Sequence, residues 1–170
     1  MRKFATVLIA LAALAFGQPA FAALQVDINQ GNIQPLPIAI PDFVAPTAGD
    51  AAAGQNIAKV VRADLERSGL FKPLDPKSYI DHISNINVAP NFQNWRVITA
   101  QGLVTGQVAM QPDGRLRVDF RLWDVYGESQ MLGLQFFTLP TNWRRIAHMV
   151  SDAIYQRITG EKRGENVILG

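Results

Sequence analysis

Residues Arg115 to Leu122 alternate without a break: Leu116, Val118, Phe120 and Leu122 are apolar, while Arg115, Arg117, Asp119 and Arg121 are charged. A period of two belongs to a strand with one face in a core and the other in water, and such one-sided strands are typical of antiparallel sheets. The flanks agree. Leu103 to Met110 reads as a strand, and Gln111-Pro112-Asp113-Gly114 places Pro and Asp-Gly where a hairpin turn takes them. Asp124 to Glu128 makes a second turn. Met131 to Thr138 makes a third strand, and Leu132, Leu134, Phe136 and Phe137 lead us to expect it to be covered on both faces. The pattern predicts a three-stranded antiparallel meander. Gly102 and Gly106 fall inside the first of its strands, where glycine marks close packing.

Two stretches carry helical periodicity. From Asp50 to Asp75, Ile57, Val61 and Leu65 recur every four residues, with Gln55, Asn56, Lys59, Arg62, Glu66 and Arg67 on the other faces. Asp50 can cap this helix, as can Thr47. Gly69 stands where a left-handed C′ residue ends a helix, with Leu70 placed to fold back on Leu65. The second stretch has Trp143, Ile146, Ala147, Val150, Ile154 and Ile158 at helical spacing, with Thr141 as expected cap and Gly160 as stop. Leu36 to Ile40, bounded by Pro35 and Pro41, reads as a further strand. Between the helices, residues 76–101 are the least patterned: Phe92 to Trp95 suits a short helix, followed by extended Val97-Ile98-Thr99.

The N-terminus is of another kind. Arg2 and Lys3 precede an apolar run from Val7 to Phe16, and Ala20-Phe21-Ala22 offers small residues at the positions a signal peptidase reads. Residues 1–22 are therefore expected to be a secretory signal peptide, cleaved between Ala22 and Ala23, with no membrane insertion after processing. Removing Arg2 and Lys3 from the 16 basic residues leaves 14, matched by 14 acidic ones, so the mature chain carries no formal net charge. Nucleic-acid binding has no support in that balance; Arg115, Arg117 and Arg121 form the only close basic set and read as a strand's wet face. There are no cysteines, so neither disulfides nor a lipidated N-terminal Cys can support or anchor an exported form. Immediately after the cleavage site, Leu24, Val26 and Ile28 alternate with Gln25, Asp27 and Asn29, and Gln30-Gly31-Asn32 ends the pattern. This short strand is either an edge strand of the domain or a segment that adds to another protein's sheet.

No arrangement of catalytic groups stands out. The chain lacks a G-x-S-x-G elbow, an H-E-x-x-H pair, a phosphate loop and a dinucleotide fingerprint. Its two histidines, His82 and His148, are read as surface residues, His148 with Asp152 four positions on as a surface pair. We expect no enzyme, no metal and no cofactor.

Taken in order, LQVDINQGN, PLPIAIPDF, the helix running through RADLERSGLFKPLD, GLVTGQV, PDGRLRVDFRLWDV and NWRRIAHMVSDAIYQRITGEK resemble the N-terminal domain of the TolB family, across nearly all of residues 23–162. The resemblance implies a single α/β domain: a mixed, mostly antiparallel sheet of about five strands with two main helices packed on it. It divides the chain into a signal peptide (1–22), a partner-binding strand (23–34), the α/β domain (35–162) and an atypical tail (163–170). It also implies a non-enzymatic periplasmic component of the Tol–Pal system in a Gram-negative bacterium, supporting outer-membrane integrity and invagination at division. The family's extreme N-terminal segment binds the C-terminal domain of TolA, which maps by position onto Ala23, Leu24, Gln25, Val26, Asp27, Ile28, Asn29, Gln30, Gly31 and Asn32. In the family a β-propeller follows the ITGEK region and is where Pal binds; here RGENVILG follows, so Pal binding is not carried over. The other expectation kept open is a standalone accessory domain that regulates an envelope enzyme or binds a small ligand.

Overall fold

The computed structural model describes residues 34–160. Its order is β1 (Leu36–Ala39), α1 (Ala48–Arg67), β2 (Phe71–Pro73), α2 (Phe92–Val97), β3 (Gly102–Met110), β4 (Leu116–Asp124), β5 (Ser129–Thr138) and α3 (Trp143–Thr159), with single 3-10 turns at Pro76–Ser78 and Pro140–Asn142. The five strands form one open sheet in the order β2-β1-β3-β4-β5. β1 runs parallel to β2 and to β3, while β3, β4 and β5 are antiparallel neighbours. A β1-α1-β2 crossover is thus joined to the meander that the pattern predicts, giving the mixed α/β sheet with two main helices that the resemblance implies.

The alternation seen in the sequence sorts the side chains. Leu116, Val118, Phe120 and Leu122 of β4 point to the face carrying α1 and α3, where they share one core with Ile57, Val61 and Leu65 of α1 and Ile146, Val150, Ile154 and Ile158 of α3. On the opposite face a smaller core joins Ala39, Leu103, Trp123 and Val125 to Trp95 and Ala100. The segment between β2 and β3 covers it: Tyr79 packs edge-on against Trp95 at 5.3 Å, and Phe92 against Trp123 at 5.9 Å. That segment was the least legible part of the chain because it covers one end of a face and has no period of its own. Val97 ends α2, and Thr99 takes a left-handed φ of 63° where extended backbone was expected.

The helix ends show which signals mattered. Thr47, not Asp50, caps α1: its Oγ1 accepts from the Asp50 amide at 3.3 Å and donates to Asp50 Oδ2 at 2.8 Å. Asp50 sits at the third helical position, and its carboxylate accepts from the hydroxyl of the capping residue instead of from that residue's backbone amide. At the other end Gly69 has φ 74°, and its amide donates to Glu66 O. The second bond of a Schellman ending is replaced by Ser68 Oγ, which donates to Leu65 O and accepts from the Leu70 amide. For α3 the expected cap at Thr141 is wrong. Thr141 lies in the 3-10 turn begun by Pro140, and Asn142 precedes the helix without a side-chain cap bond. A turn already wound at Pro140 supplies the geometry that a capping side chain would otherwise have to set.

Phe43 is the pivot between the layers. It sits between two glycines: a Cβ added to Gly54 of α1 would lie 2.4 Å from Phe43 O, and one added to Gly106 of β3 would lie 2.4 Å from the Phe43 ring. The close packing expected for the glycines of β3 is thus present, and Gly54 is tolerated inside a helix because the backbone must approach there.

Candidate interaction surface

The residues proposed from the sequence to meet a partner, Ala23 to Asn32, and the cleavage pair Ala22 and Ala23, lie outside the described residues. What the structure supplies is their attachment. Gln34 and Pro35 are exposed, and Leu36 directly after them is 4% exposed. The Leu36 amide donates to Leu70 O at 2.9 Å, Leu36 pairs with Phe71, and Gln101 N donates to Pro37 O at 2.9 Å. The segment therefore joins the domain at an inner strand held on both sides, not at a loosely paired edge.

The face of β4 and β5 away from the helices carries the charged residues. Arg117 pairs with Asp119 at 2.8 Å, and Gln135 Nε2 donates to Asp119 Oδ1 at 2.6 Å. Arg121 donates to Ile86 O, to Gln130 Oε1 and to Asn87 Oδ1. These groups line a cavity of about 310 Å³ between the sheet and the loop at Ile86 and Asn87. The three arginines do read as a strand's outer face: Arg121 is engaged by a carbonyl and two side-chain amides of the domain, while Arg115 and Arg117 pair with Asp113 and Asp119 and stay partly exposed. Arg121 in particular ties the loop at Ile86 and Asn87 to the sheet. Arg115 donates to Asp113 in the β3–β4 turn, and these backbone and side-chain hydrogen bonds hold the Asp113 carboxyl below its usual range.

The two histidines separate. His82 is exposed in the β2–β3 segment, as expected. His148 is exposed too, as expected, but it also reaches the other helix: its Nδ1 lies 2.5 Å from Oδ2 of buried Asp64, joining α3 to α1, and Arg67 holds the other oxygen of Asp64 at 2.9 Å. Sequence spacing along one helix could not reveal a partner 84 residues away. Among the described residues no group of three or more His, Cys, Asp or Glu is placed to hold a metal. None of their helices is long and apolar enough to cross a membrane.

Strand β5 is the main departure from expectation. It is the sheet's outer strand, and neither face is fully covered: Leu134 is 40% and Phe137 44% exposed. Its apolar content was read as double coverage, but α3 covers only part of one face and, among the described residues, no strand lies beyond it. Between β5 and α3 runs an open groove bordered by Leu132, Leu134, Ala153 and Arg157. The described residues thus define a small, open-sheeted α/β domain in which Leu134 and Phe137 leave apolar surface exposed on the outer strand β5.

Comparison with known proteins identifies the class. The family model for the TolB amino-terminal domain matches residues 24–131, and the chain belongs to that family. Among solved structures, TolB from Acinetobacter baumannii superposes with a TM-score of 0.63 at 29% identity, over 82% of this chain and 32% of that protein. This chain therefore spans about a third of that relative's length. A variant PelC dodecamer from Paraburkholderia phytofirmans (TM-score 0.47, 17% identity, 69% of this chain and 86% of that one) has a distantly similar arrangement. So has the lipoprotein GNA1162 from Neisseria meningitidis (TM-score 0.48, 11% identity, 72% of this chain and 96% of that one).

Proposed function

We propose that this chain is a non-enzymatic, periplasmic binding component of the Tol–Pal system, exported through residues 1–22, that offers Ala23–Asn32 to the C-terminal domain of TolA. Through that contact it supports outer-membrane integrity and invagination during division. The observation that carries the reading is the extent of the family match, which begins at Leu24 and so takes in the alternating segment together with the domain. Backbone pairing with a partner's sheet edge supplies affinity, and the face formed by Leu24, Val26 and Ile28 supplies specificity. Attachment at the inner strand β1 fits this role, because a load on the segment passes into the best-paired part of the sheet.

The test is calorimetric titration of the mature chain, with and without residues 23–33, against the C-terminal domain of TolA. Deletion is expected to abolish binding while leaving the unfolding midpoint of the domain unchanged. Equal affinity of the two forms overturns the proposal.

A further inference from the structure

We propose that β5 is the contact of an isologous dimer of this chain, in which two copies of the strand pair antiparallel about a two-fold axis through Gln135. The argument starts from the register. In the β3–β4 hairpin the Gln111 amide donates to Arg115 O at 2.8 Å, so 111 and 115 are a hydrogen-bonded pair. Antiparallel pairs alternate between bonded and non-bonded, so Ala109–Arg117, Gln107–Asp119 and Thr105–Arg121 are the bonded pairs of that ladder. The odd residues of β4 therefore spend their backbone groups on β3, and its even residues face β5. Val118–Phe136, Phe120–Leu134 and Leu122–Leu132 follow as the bonded pairs of the β4–β5 ladder. The backbone groups of Met131, Gly133, Gln135 and Phe137 then point out from the sheet edge. Arg157 Nε donates to Met131 O at 3.0 Å, which leaves Gly133, Gln135 and Phe137 as the stretch open among the described residues.

That stretch is symmetric about its middle residue, and its chemistry fits a copy of itself. An axis through Gln135 sets Gly133 opposite the second copy's Phe137, and Leu134 opposite its Phe136. On the outer face, Phe137 would lie over a position with no side chain, beside the cavity that Gly133 helps to line. A large ring covering a cross-strand glycine is a favourable pairing. On the helix side, half-exposed Leu134 gains an aromatic neighbour at a non-bonded position, where side chains come closest. Charge agrees. A two-fold axis brings each residue near its own equivalent, so a self-pairing strand must avoid charge, and Ser129–Thr138 has none in ten residues. Edge strands that must stay single are usually short or carry charge or proline. The opposite edge follows that rule, since β2 is three residues long and contains Lys72 and Pro73.

Sedimentation equilibrium of the mature chain should show a concentration-dependent dimer. Gln135→Lys places like charges on backbone positions about 5.5 Å apart across the two-fold axis and should weaken association by at least about tenfold. The described residues contain no cysteine, so Gln135→Cys provides a second readout that does not depend on how Gln135→Lys folds. Bonded antiparallel positions lie about 5.5 Å apart, within disulfide reach, so this variant should cross-link on oxidation while Lys72→Cys on the far edge does not. Three results would each overturn the proposal: a monomer at every concentration with no cross-linking of Gln135→Cys, a dimer indifferent to Gln135→Lys, or hydrogen-exchange protection of the Gly133, Gln135 and Phe137 amides in a monomer. The last would mean that another part of the same chain occupies the edge.

Discussion

Replacing Gly106 by alanine tests the layer contact on which the fold turns. The new Cβ would stand 2.4 Å from Cγ, Cδ2 and Cε2 of Phe43. Carbon atoms settle at about 3.5–4.0 Å, so the ring must withdraw by roughly 1 Å or more. Phe43 is 3% exposed and part of the main core, so it has little room to withdraw. Overpacking of this kind costs about 1–3 kcal/mol, and the immobile setting argues for about 2–3. At about 2–4 °C per kcal/mol in a chain of this size, Gly106→Ala should lower Tm by about 5–10 °C. Phe43→Ala alone removes a buried ring at a cost of about 3–5 kcal/mol. Because that change also removes the obstacle, the double variant should be more stable than the sum of the two by about 2 kcal/mol. Gly54 provides the control. A Cβ there meets the Phe43 carbonyl oxygen, not the ring, so truncating Phe43 should not rescue Gly54→Ala. Urea unfolding followed by circular dichroism measures all five variants against the parent. Losses for Gly106→Ala and Phe43→Ala that add to within about 0.5 kcal/mol would refute the contact.

Two further outcomes follow from single side chains. Tyr79 accepts from the Ile40 amide at 2.9 Å and donates to Leu74 O at 3.1 Å, and its burial raises the phenol pKa above the ordinary value despite the opposing bond from Ile40 and the charge of Arg62. A raised folded pKa means that its contribution is complete below the unfolded value near 10 and is lost as pH rises through the folded one. Tyr79→Phe should cost about 1–3 kcal/mol at neutral pH, with an Ile40 amide left unpaired, and flatten the alkaline loss of stability seen in pH-dependent urea unfolding. Arg96 fastens α2 to the β4–β5 turn through Val125 O, Tyr126 O and Glu128. Lysine cannot reproduce that fork, so Arg96→Lys should cost about 1–2 kcal/mol and raise amide exchange in residues 92–97 before the rest of the domain.

How much of this was legible depended on whether a residue's role was periodic. The meander, the apolar stripe of α3 and the left-handed stop at Gly69 were readable because period and turn chemistry are local properties. β2 was not identified as a strand: three residues, Phe71-Lys72-Pro73, give no alternation to detect, and their pairing with Leu36 to Ile38 exists only once α1 has brought the two together. The role of Asp64 was hidden for the same reason, as its partner His148 lies on the other helix. The reading of β5 failed differently. Apolar content reports that a strand seeks cover, but not whether its own chain provides it, and here Leu134 and Phe137 remain half in water.

That failure bears on function. The domain's polar groups are largely spent on its own framework: Arg121 on Ile86 O and Asn87, Arg96 on the β4–β5 turn, Asp64 on His148 and Arg67, Tyr79 on Ile40 and Leu74. What the described scaffold leaves open at the sheet's edge is the backbone of β5 with the half-exposed Leu134 and Phe137. Backbone at an edge recognises another strand whatever that strand's side chains, so selectivity has to come from charge, length and the fit of alternate residues. The two proposed contacts use that logic in opposite senses. At Ala23–Asn32 the chain donates a strand to another sheet; at Ser129–Thr138 it accepts one. Titrating the C-terminal domain of TolA against Gln135→Lys separates them: affinity equal to that of the parent is expected if the sites are independent, and a loss as large as that from deleting residues 23–33 would assign both strands to one interface.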